Sequence, residues 1–190
     1  MPYKIKACGI DEVGRGALAG PVVVACVLFK NYQNIPHGIA DSKKVNKKNR
    51  VLLYKKIKSL ASIGIGVVHS NIIDSLGIDK ATNIAADISL NKIKILPNKI
   101  LIDGNIKVKS KLNILNIIKG DKNYVSIAAA SIIAKVSRDQ LMQTYSKKYQ
   151  SYCWSSNMGY GTKDHLLAIR KYGITSLHRK TFKIKVLENI

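Results

Sequence analysis

Apolar residues fall along this chain in short alternating or continuous runs at its start and at helical spacing further on. Ile5, Ala7, Cys8 and Ile10 mark a strand over residues 4–12, and the unbroken apolar run from Val22 to Phe29 marks a second over 21–30. A glycine-rich loop joins them, so the two are expected to pair antiparallel, and Pro21 is tolerable at the entry to its strand. Asn46 is placed to cap a helix over 47–60, where Val51, Leu52, Tyr54, Ile57 and Leu60 approximate an apolar face beneath a basic one. A third strand is expected over 62–69, then a short helical turn over 71–76. A helix over 79–93 follows, with Ala81, Ile84, Ala85 and Ile88, and Ile95 just beyond it, turned inward.

Past Pro97 an extended run over 99–102 ends in Asp103-Gly104, and a further apolar run over 112–118 ends in Lys119-Gly120-Asp121. An acid and a glycine at the end of a strand mark either a tight turn or a site at the carboxyl edge of an α/β sheet. The longest helical pattern covers 124–149, and its Ala128, Ala129, Ala130 and Ser131 permit close packing against a sheet. Tyr152 and Trp154 follow, and Thr162 is a fitting N-cap for a helix that runs to about Tyr172, where Gly173 stops it. No repeat or long linker interrupts the 190 residues. They read as one α/β domain over 1–190, with a core over about 1–150 and a helical appendage over about 151–190.

Charge narrows the partners. The 32 Lys and Arg against 11 Asp and Glu leave a formal net charge of +21. Either the chain meets an anionic partner, nucleic acid foremost, or the excess reflects a composition rich in lysine, isoleucine and asparagine, which predicts lysines spread evenly over the surface. No segment has the length to span a bilayer and the start has no signal-peptide pattern, so no membrane role is expected. Cys8, Cys26 and Cys153 have no paired spacing and read as reduced residues of a cytoplasmic protein. His37, His69, His165 and His178 are scattered without the spacing of zinc ligands.

In so basic a chain the placement of the few acids carries information. Asp11 and Glu12 end the first strand between apolar neighbours, where uncompensated charge is costly; they are either a charged hairpin tip or a carboxylate pair that holds metal. Asp103 and Asp121 fall at two other strand ends. Carboxylates gathered in one place raise each other's pKa unless a cation compensates, and donors that are all oxygen point to Mg²⁺ or Mn²⁺. Two such ions can orient water and stabilise an oxyanion leaving group in phosphodiester hydrolysis. Gly14, Gly16 and Gly20 leave peptide N–H groups free to face a phosphate, yet neither the dinucleotide fingerprint nor a Gly-x-x-x-x-Gly-Lys-Ser/Thr loop is present, which argues against a nucleotide phosphotransferase. Asp139, next to Arg138 in the long helix, reads as structural support ahead of ligation.

Taken in order, Gly9-Ile10-Asp11-Glu12-Val13-Gly14-Arg15-Gly16, Gly20-Pro21-Val22, Asp41-Ser42-Lys43, Ile102-Asp103-Gly104, Lys119-Gly120-Asp121, the alanine-rich helix through Arg138-Asp139, Gly159-Tyr160-Gly161-Thr162-Lys163 and His178-Arg179 with Phe182 resemble the type 2 ribonuclease H family, ribonuclease HII of the bacterial kind, nearly end to end. The resemblance implies a ribonuclease H-like fold, a five-stranded mixed β-sheet flanked by α-helices, with a C-terminal helical segment. It implies a metal-binding catalytic tetrad of Asp11, Glu12, Asp103 and Asp121 and two Mn²⁺ or Mg²⁺ ions. Gly14, Arg15 and Gly16 would read the 2′-hydroxyl and its neighbouring phosphate, and Tyr160 would stack on the sugar 3′ of the cut. Ser42, Lys43, Lys163 and Arg179 would complete the substrate contacts, with Ser131, Arg138 and Asp139 in support.

The reaction implied is endonucleolytic hydrolysis of RNA in an RNA–DNA hybrid, or at a lone ribonucleotide in duplex DNA, leaving 3′-hydroxyl and 5′-phosphate ends. Weak base-sequence specificity follows from reading sugar and backbone. A monomer is expected, and any association with a replication clamp is not legible in these residues. One departure stands out: Asn157-Met158 precede Gly159 where such proteins commonly carry a basic residue, so a phosphate contact would be missing there. A non-catalytic basic nucleic-acid-binding protein would account for the charge but gives no reason for the acids.

Overall fold

The computed structural model describes residues 6–39 and 45–184; Ser42 and Lys43 lie outside the described residues. β1 (Ala7–Val13) and β2 (Val22–Phe29) pair antiparallel, with Asp11 opposite Ala25, and β2 pairs antiparallel with β3 (Ala61–Val68). On its other side β1 runs parallel to β4 (Lys99–Asp103), which runs parallel to β5 (Asn113–Ile117). The sheet order is therefore β3-β2-β1-β4-β5. Every residue of β2 is buried, as its unbroken apolar run requires of a strand covered on both faces.

Helices cover both faces. On one, α1 (Lys47–Leu60) and α4 (Val125–Lys148) pack Leu53, Ile57, Ala128, Ala129, Ile132 and Ile133 against Ala25, Val27 and Phe29. The cap is as expected, the Asn46 side chain accepting from the Asn49 N–H at 2.9 Å. The buried face of α1 is turned, however: Leu53 is inside, while Val51 and Leu52 are 37% and 51% exposed. On the other face lie α2 (Ser70–Leu76) and α3 (Ile78–Asn91), with Ala81, Ala85 and Ala86 against Val22, Val24 and Cys26. Ile84, expected inside, is exposed. The reason is steric: the carbonyls of Ala85 and Ser89 lie directly on β3 at Gly66 and Gly64, so only small residues fit the contact stripe and the bulky Ile84 faces away.

A third cluster joins Ala19 and Met142 to Tyr152, Trp154, Met158, Ala168, Ile169 and Ile184, residues carried largely by α5 (Trp154–Asn157), α6 (Lys163–Tyr172) and their flanks. Thr162 caps α6 as the spacing predicts, accepting from the His165 N–H. Cys8 and Cys26, which have no paired spacing in the sequence, lie side by side in the core with their thiols hydrogen-bonded, and that contact, then burial, hold the Cys26 thiol well above its usual range. Exposed lysines lie on α1 (Lys47, Lys48, Lys55, Lys56, Lys58) and, across the sheet, at Lys80, Lys94, Lys107 and Lys109. These stand on both faces of the sheet. No helix among the described residues is long and apolar enough to cross a membrane.

Candidate active site

The ends of β1 and β4, the first half of α4 and Arg50 of α1 meet at a cleft of about 390 Å³ lined by Asp11, Glu12, Val13, Arg50, Asp103, Ser131, Ile132 and Lys135. Parallel pairing of β1 with β4 puts both carboxyl ends at one edge of the sheet, which is why acids far apart in sequence share this space. Asp11 is buried; it accepts from the Glu12 N–H at 2.8 Å and from the Ser131 hydroxyl. Burial, and then the charge of Glu12, push its carboxyl up to about 8. Burial likewise raises Glu12, against the opposing pull of Arg15.

Asp103 is half-buried and its Oδ1 accepts from the Gly120 N–H at 2.9 Å. That bond ties β4 to the 3-10 turn Gly120–Lys122, which carries Asp121, itself buried. Asp121 is thus on the turn adjoining the cleft and not part of its lining. Among the described residues no group of three or more histidine, cysteine, aspartate or glutamate side chains stands close enough together to hold a metal ion. The donor chemistry nevertheless fits a hard divalent cation: the carboxylates and hydroxyl facing the cleft offer only oxygen.

Arg50 and Lys135 are cleft residues that sequence reasoning missed. Lys135 lies one helical turn beyond Ser131, an i, i+4 relation that could have found it, and it pairs with Asp139 at 2.9 Å. Asp139 also lines a smaller groove between α1 and α4. Arg50 donates to the Val45 carbonyl at 2.8 Å, a placement no spacing announces.

Beside the cleft runs the loop from Gly14 to Pro21, held from beneath by two buried arginines. Arg138 of α4 donates from Nε to Pro21, from Nη1 to Met158 and from Nη2 to Ala19, all main-chain carbonyls, at 2.8–3.1 Å. Arg179 donates to the carbonyls of Gly14, Arg15 and Gly20. Burial, and then the nearby charge of Arg138, lower its pKa to about 10. Arg179 was expected among the substrate contacts; it is fully buried and braces the loop instead. Arg15 reaches Asp79 at the start of α3 and stands 4.0 Å from Glu12. Tyr160 is half-buried, its ring 5.3 Å from the Arg138 guanidinium carbon. Lys163 is exposed on the first turn of α6. Asn157 and Met158 are both buried, the Asn157 amide joining Tyr152 and Gly159 main chain, so this pair shapes the turn and offers no place for a phosphate contact.

Below Tyr160, Trp154, His165 and His178 form a buried cluster, with Trp154 Nε1 3.0 Å from His165 Nε2 and the two Nε2 atoms 3.1 Å apart. Burial, then His165, lower His178 to about 4 from 6.5. Between those values the unfolded chain binds a proton that the folded chain refuses. Stability from this group is therefore complete above pH 6.5, falls as pH drops toward 4 and is constant below. Between pH 7 and pH 4.5 the wild type is expected to lose about 2 kcal/mol more than His178→Gln by urea unfolding; parallel pH profiles would refute this.

Comparison with known proteins gives a consistent picture. The family model described as Ribonuclease HII matches residues 8–185. A Ribonuclease HII of Wolbachia sp. subsp. Brugia malayi (strain TRS) is 50% identical over 174 residues, covering 92% of this chain and 86% of the relative. The Archaeoglobus fulgidus RNase HII, solved in its complex with PCNA, superposes with a TM-score of 0.82 at 23% identity, covering 94% of this chain and 96% of its own. Bst-RNase HIII in complex with Mn²⁺ gives 0.77 at 20% identity, covering 100% and 74%. The likeness to these two structures is one of fold, the five-stranded mixed sheet with flanking helices and a C-terminal helical segment.

Proposed function

The chain belongs to the ribonuclease HII family, and on that premise we infer that it is an endoribonuclease that hydrolyses the RNA strand of RNA–DNA hybrids and cuts at single ribonucleotides in duplex DNA. The observation that carries the reading is the meeting of Asp11, Glu12 and Asp103 in one cleft beside a main-chain loop locked by two buried guanidiniums. A non-catalytic nucleic-acid-binding protein would gain nothing from desolvated acids.

The enzyme works with divalent metal, and we propose Mn²⁺ or Mg²⁺, two ions in the catalytic complex, held by Asp11, Glu12, Asp103 and Asp121. When bound, such ions acidify the attacking water and offset charge on the leaving 3′ oxygen. The chain's own residues do the rest. Ser131 orients the Asp11 carboxylate. Arg50 and Lys135 bring positive charge to the cleft that faces the scissile phosphate. Gly14, Arg15 and Gly16 present main chain to the 2′-hydroxyl, and Tyr160 stacks on the next sugar. Ser42, Lys43 and Lys163 contact the backbone, and residues 151–190 add to the grip on the duplex. The protein is proposed to act as a cytoplasmic monomer.

The test is cleavage of a duplex bearing one ribonucleotide, with Mg²⁺ or Mn²⁺ and again with chelator, the product ends being mapped. Metal-dependent cutting with 3′-hydroxyl and 5′-phosphate ends is expected. Binding without cutting under any metal would return the chain to the class of non-catalytic binders.

A further inference from the structure

We propose that His165 is a positioning residue for this reaction: by donating from Nδ1 to the main-chain carbonyl of Tyr160 it fixes the seat of the Tyr160 ring, and with it the preference for a lone ribonucleotide over a continuous RNA strand. The inference rests on the reading of Tyr160 as the sugar-stacking residue. His165 itself touches neither the carboxylate cleft nor the glycine loop; it acts through Tyr160.

The hydrogen-bond partners leave one assignment of protons. The indole N–H of Trp154 can only donate, so His165 Nε2, 3.0 Å away, presents a lone pair. The Thr175 main-chain N–H donates to His178 Nδ1 at 2.9 Å, so a neutral His178 carries its proton on Nε2 and directs it at His165 Nε2, 3.1 Å away. His165 Nε2 thus accepts twice, and its own proton must sit on Nδ1. That atom is 2.9 Å from the Tyr160 carbonyl. Protonation states are fixed here by what each partner can do.

The Tyr160 backbone is thereby pinned on both sides. Its carbonyl accepts from His165 Nδ1 and from the Thr162 N–H at 2.8 Å, while its own N–H donates to the Asn157 carbonyl at 2.9 Å. Its ring rests against the guanidinium of Arg138, which three carbonyls already hold still. Because Arg138 also carries the carbonyls of Ala19 and Pro21, Tyr160 and the glycine loop share one support. Loss of the His165 bond leaves the Tyr160 carbonyl to the Thr162 N–H, so the carbonyl is held less firmly while the Arg138 support stays in place. A ring whose seat shifts stacks less well on a single sugar, whereas a long hybrid supplies many alternative registers.

Two substitutions separate position from stability. His165→Gln places an amide at the Nε2 position, keeping a partner for Trp154, but has no donor where Nδ1 was. His165→Asn places a donor near Nδ1 and abandons Trp154. The quantity read is the ratio of kcat/KM on a single-ribonucleotide duplex to kcat/KM on a long hybrid, beside the melting temperature. His165→Gln is expected to melt near wild type and to lower the ratio about fivefold, while His165→Asn and the control Trp154→Phe melt lower and hold the ratio within about twofold. A ratio that merely tracks melting temperature across the three would overturn the proposal. So would a wild-type ratio in His165→Gln where Tyr160→Ala lowers it. If Tyr160→Ala itself leaves the ratio unchanged, the stacking role fails first and the role of His165 with it. Imidazole nitrogen NMR on the unaltered chain gives a second reading that needs no variant to fold: Nδ1 of His165 protonated is expected, and Nε2 protonated overturns the proposal.

Discussion

Replacing Asp11 with asparagine is expected to slow cleavage about a thousandfold or more while leaving hybrid binding within a few-fold of wild type. Asparagine keeps the size of the side chain and an oxygen to accept from the Glu12 N–H and the Ser131 hydroxyl, so the local structure persists. What goes is the charge that would hold the ions. The same change removes one of three acids crowded in a desolvated cleft, so the variant should melt at or above the wild-type temperature, since repulsion from Glu12 and Asp103 is relieved. Single-turnover cleavage with a filter-binding titration and a thermal melt reads all three quantities. Wild-type cleavage by Asp11→Asn would falsify the tetrad. Asp121→Asn is expected to lose turnover to a similar degree, which tests whether a residue on the adjoining turn belongs to the same machinery.

The second large effect separates two glycines of one loop. Gly14 has φ +92°, and a Cβ there would fall onto Arg138 Nε, which is held by the carbonyl of Pro21. Gly14→Ala should therefore cost about 2 kcal/mol or more in stability, from backbone strain and displacement of a tethered guanidinium. Gly16 is exposed and a Cβ on it would meet nothing within 4 Å. Its lack of a side chain is thus not demanded by the fold. Gly16→Ala is expected to melt within about a degree or two of wild type and yet lose about tenfold or more in kcat/KM, because a methyl group blocks the close approach of a sugar to the main chain. Normal cleavage by Gly16→Ala would remove the loop's direct role with substrate. A normal melt for Gly14→Ala would show that Arg138 can give way.

The two arginines beneath that loop explain why its geometry is so confined. Each carries a charge away from water, among the described residues neither is directly bonded to a carboxylate, and each is compensated by several main-chain carbonyls. Such an arrangement is costly to disturb, because losing one donor leaves buried carbonyls unpaired. It also ties together elements that lie far apart in sequence: the loop after β1, the middle of α4 and the segment after α6.

Local chemistry was legible in the residues themselves. Hydrophobic period, the caps Asn46 and Thr162 and the stop at Gly173 depend on neighbours within one turn, and strands and helices were read from them to within a few residues. The acids at strand ends and the ordered motifs were likewise present in one dimension, and they led to the family and the cleft. What needed the tertiary structure was whatever depends on a partner distant in sequence. The inward face of α3 was set by the close approach to Gly64 and Gly66 of β3 and not by its own apolar pattern, so Ile84 turned outward.

Arg179 reads in sequence as a substrate contact, and only folding, which brings the carbonyls of Gly14, Arg15 and Gly20 around it, makes it an internal brace. His165 and His178 read as two unrelated histidines until the first turn of α6 and the segment after that helix bring their rings together. Sequence by itself determined the elements, the acids and the kinship, because those follow from local propensity and residue type. Which charges face water, and which hold the loop from within, only the tertiary structure decided, because desolvation and hydrogen-bond pairing are properties of a residue's surroundings.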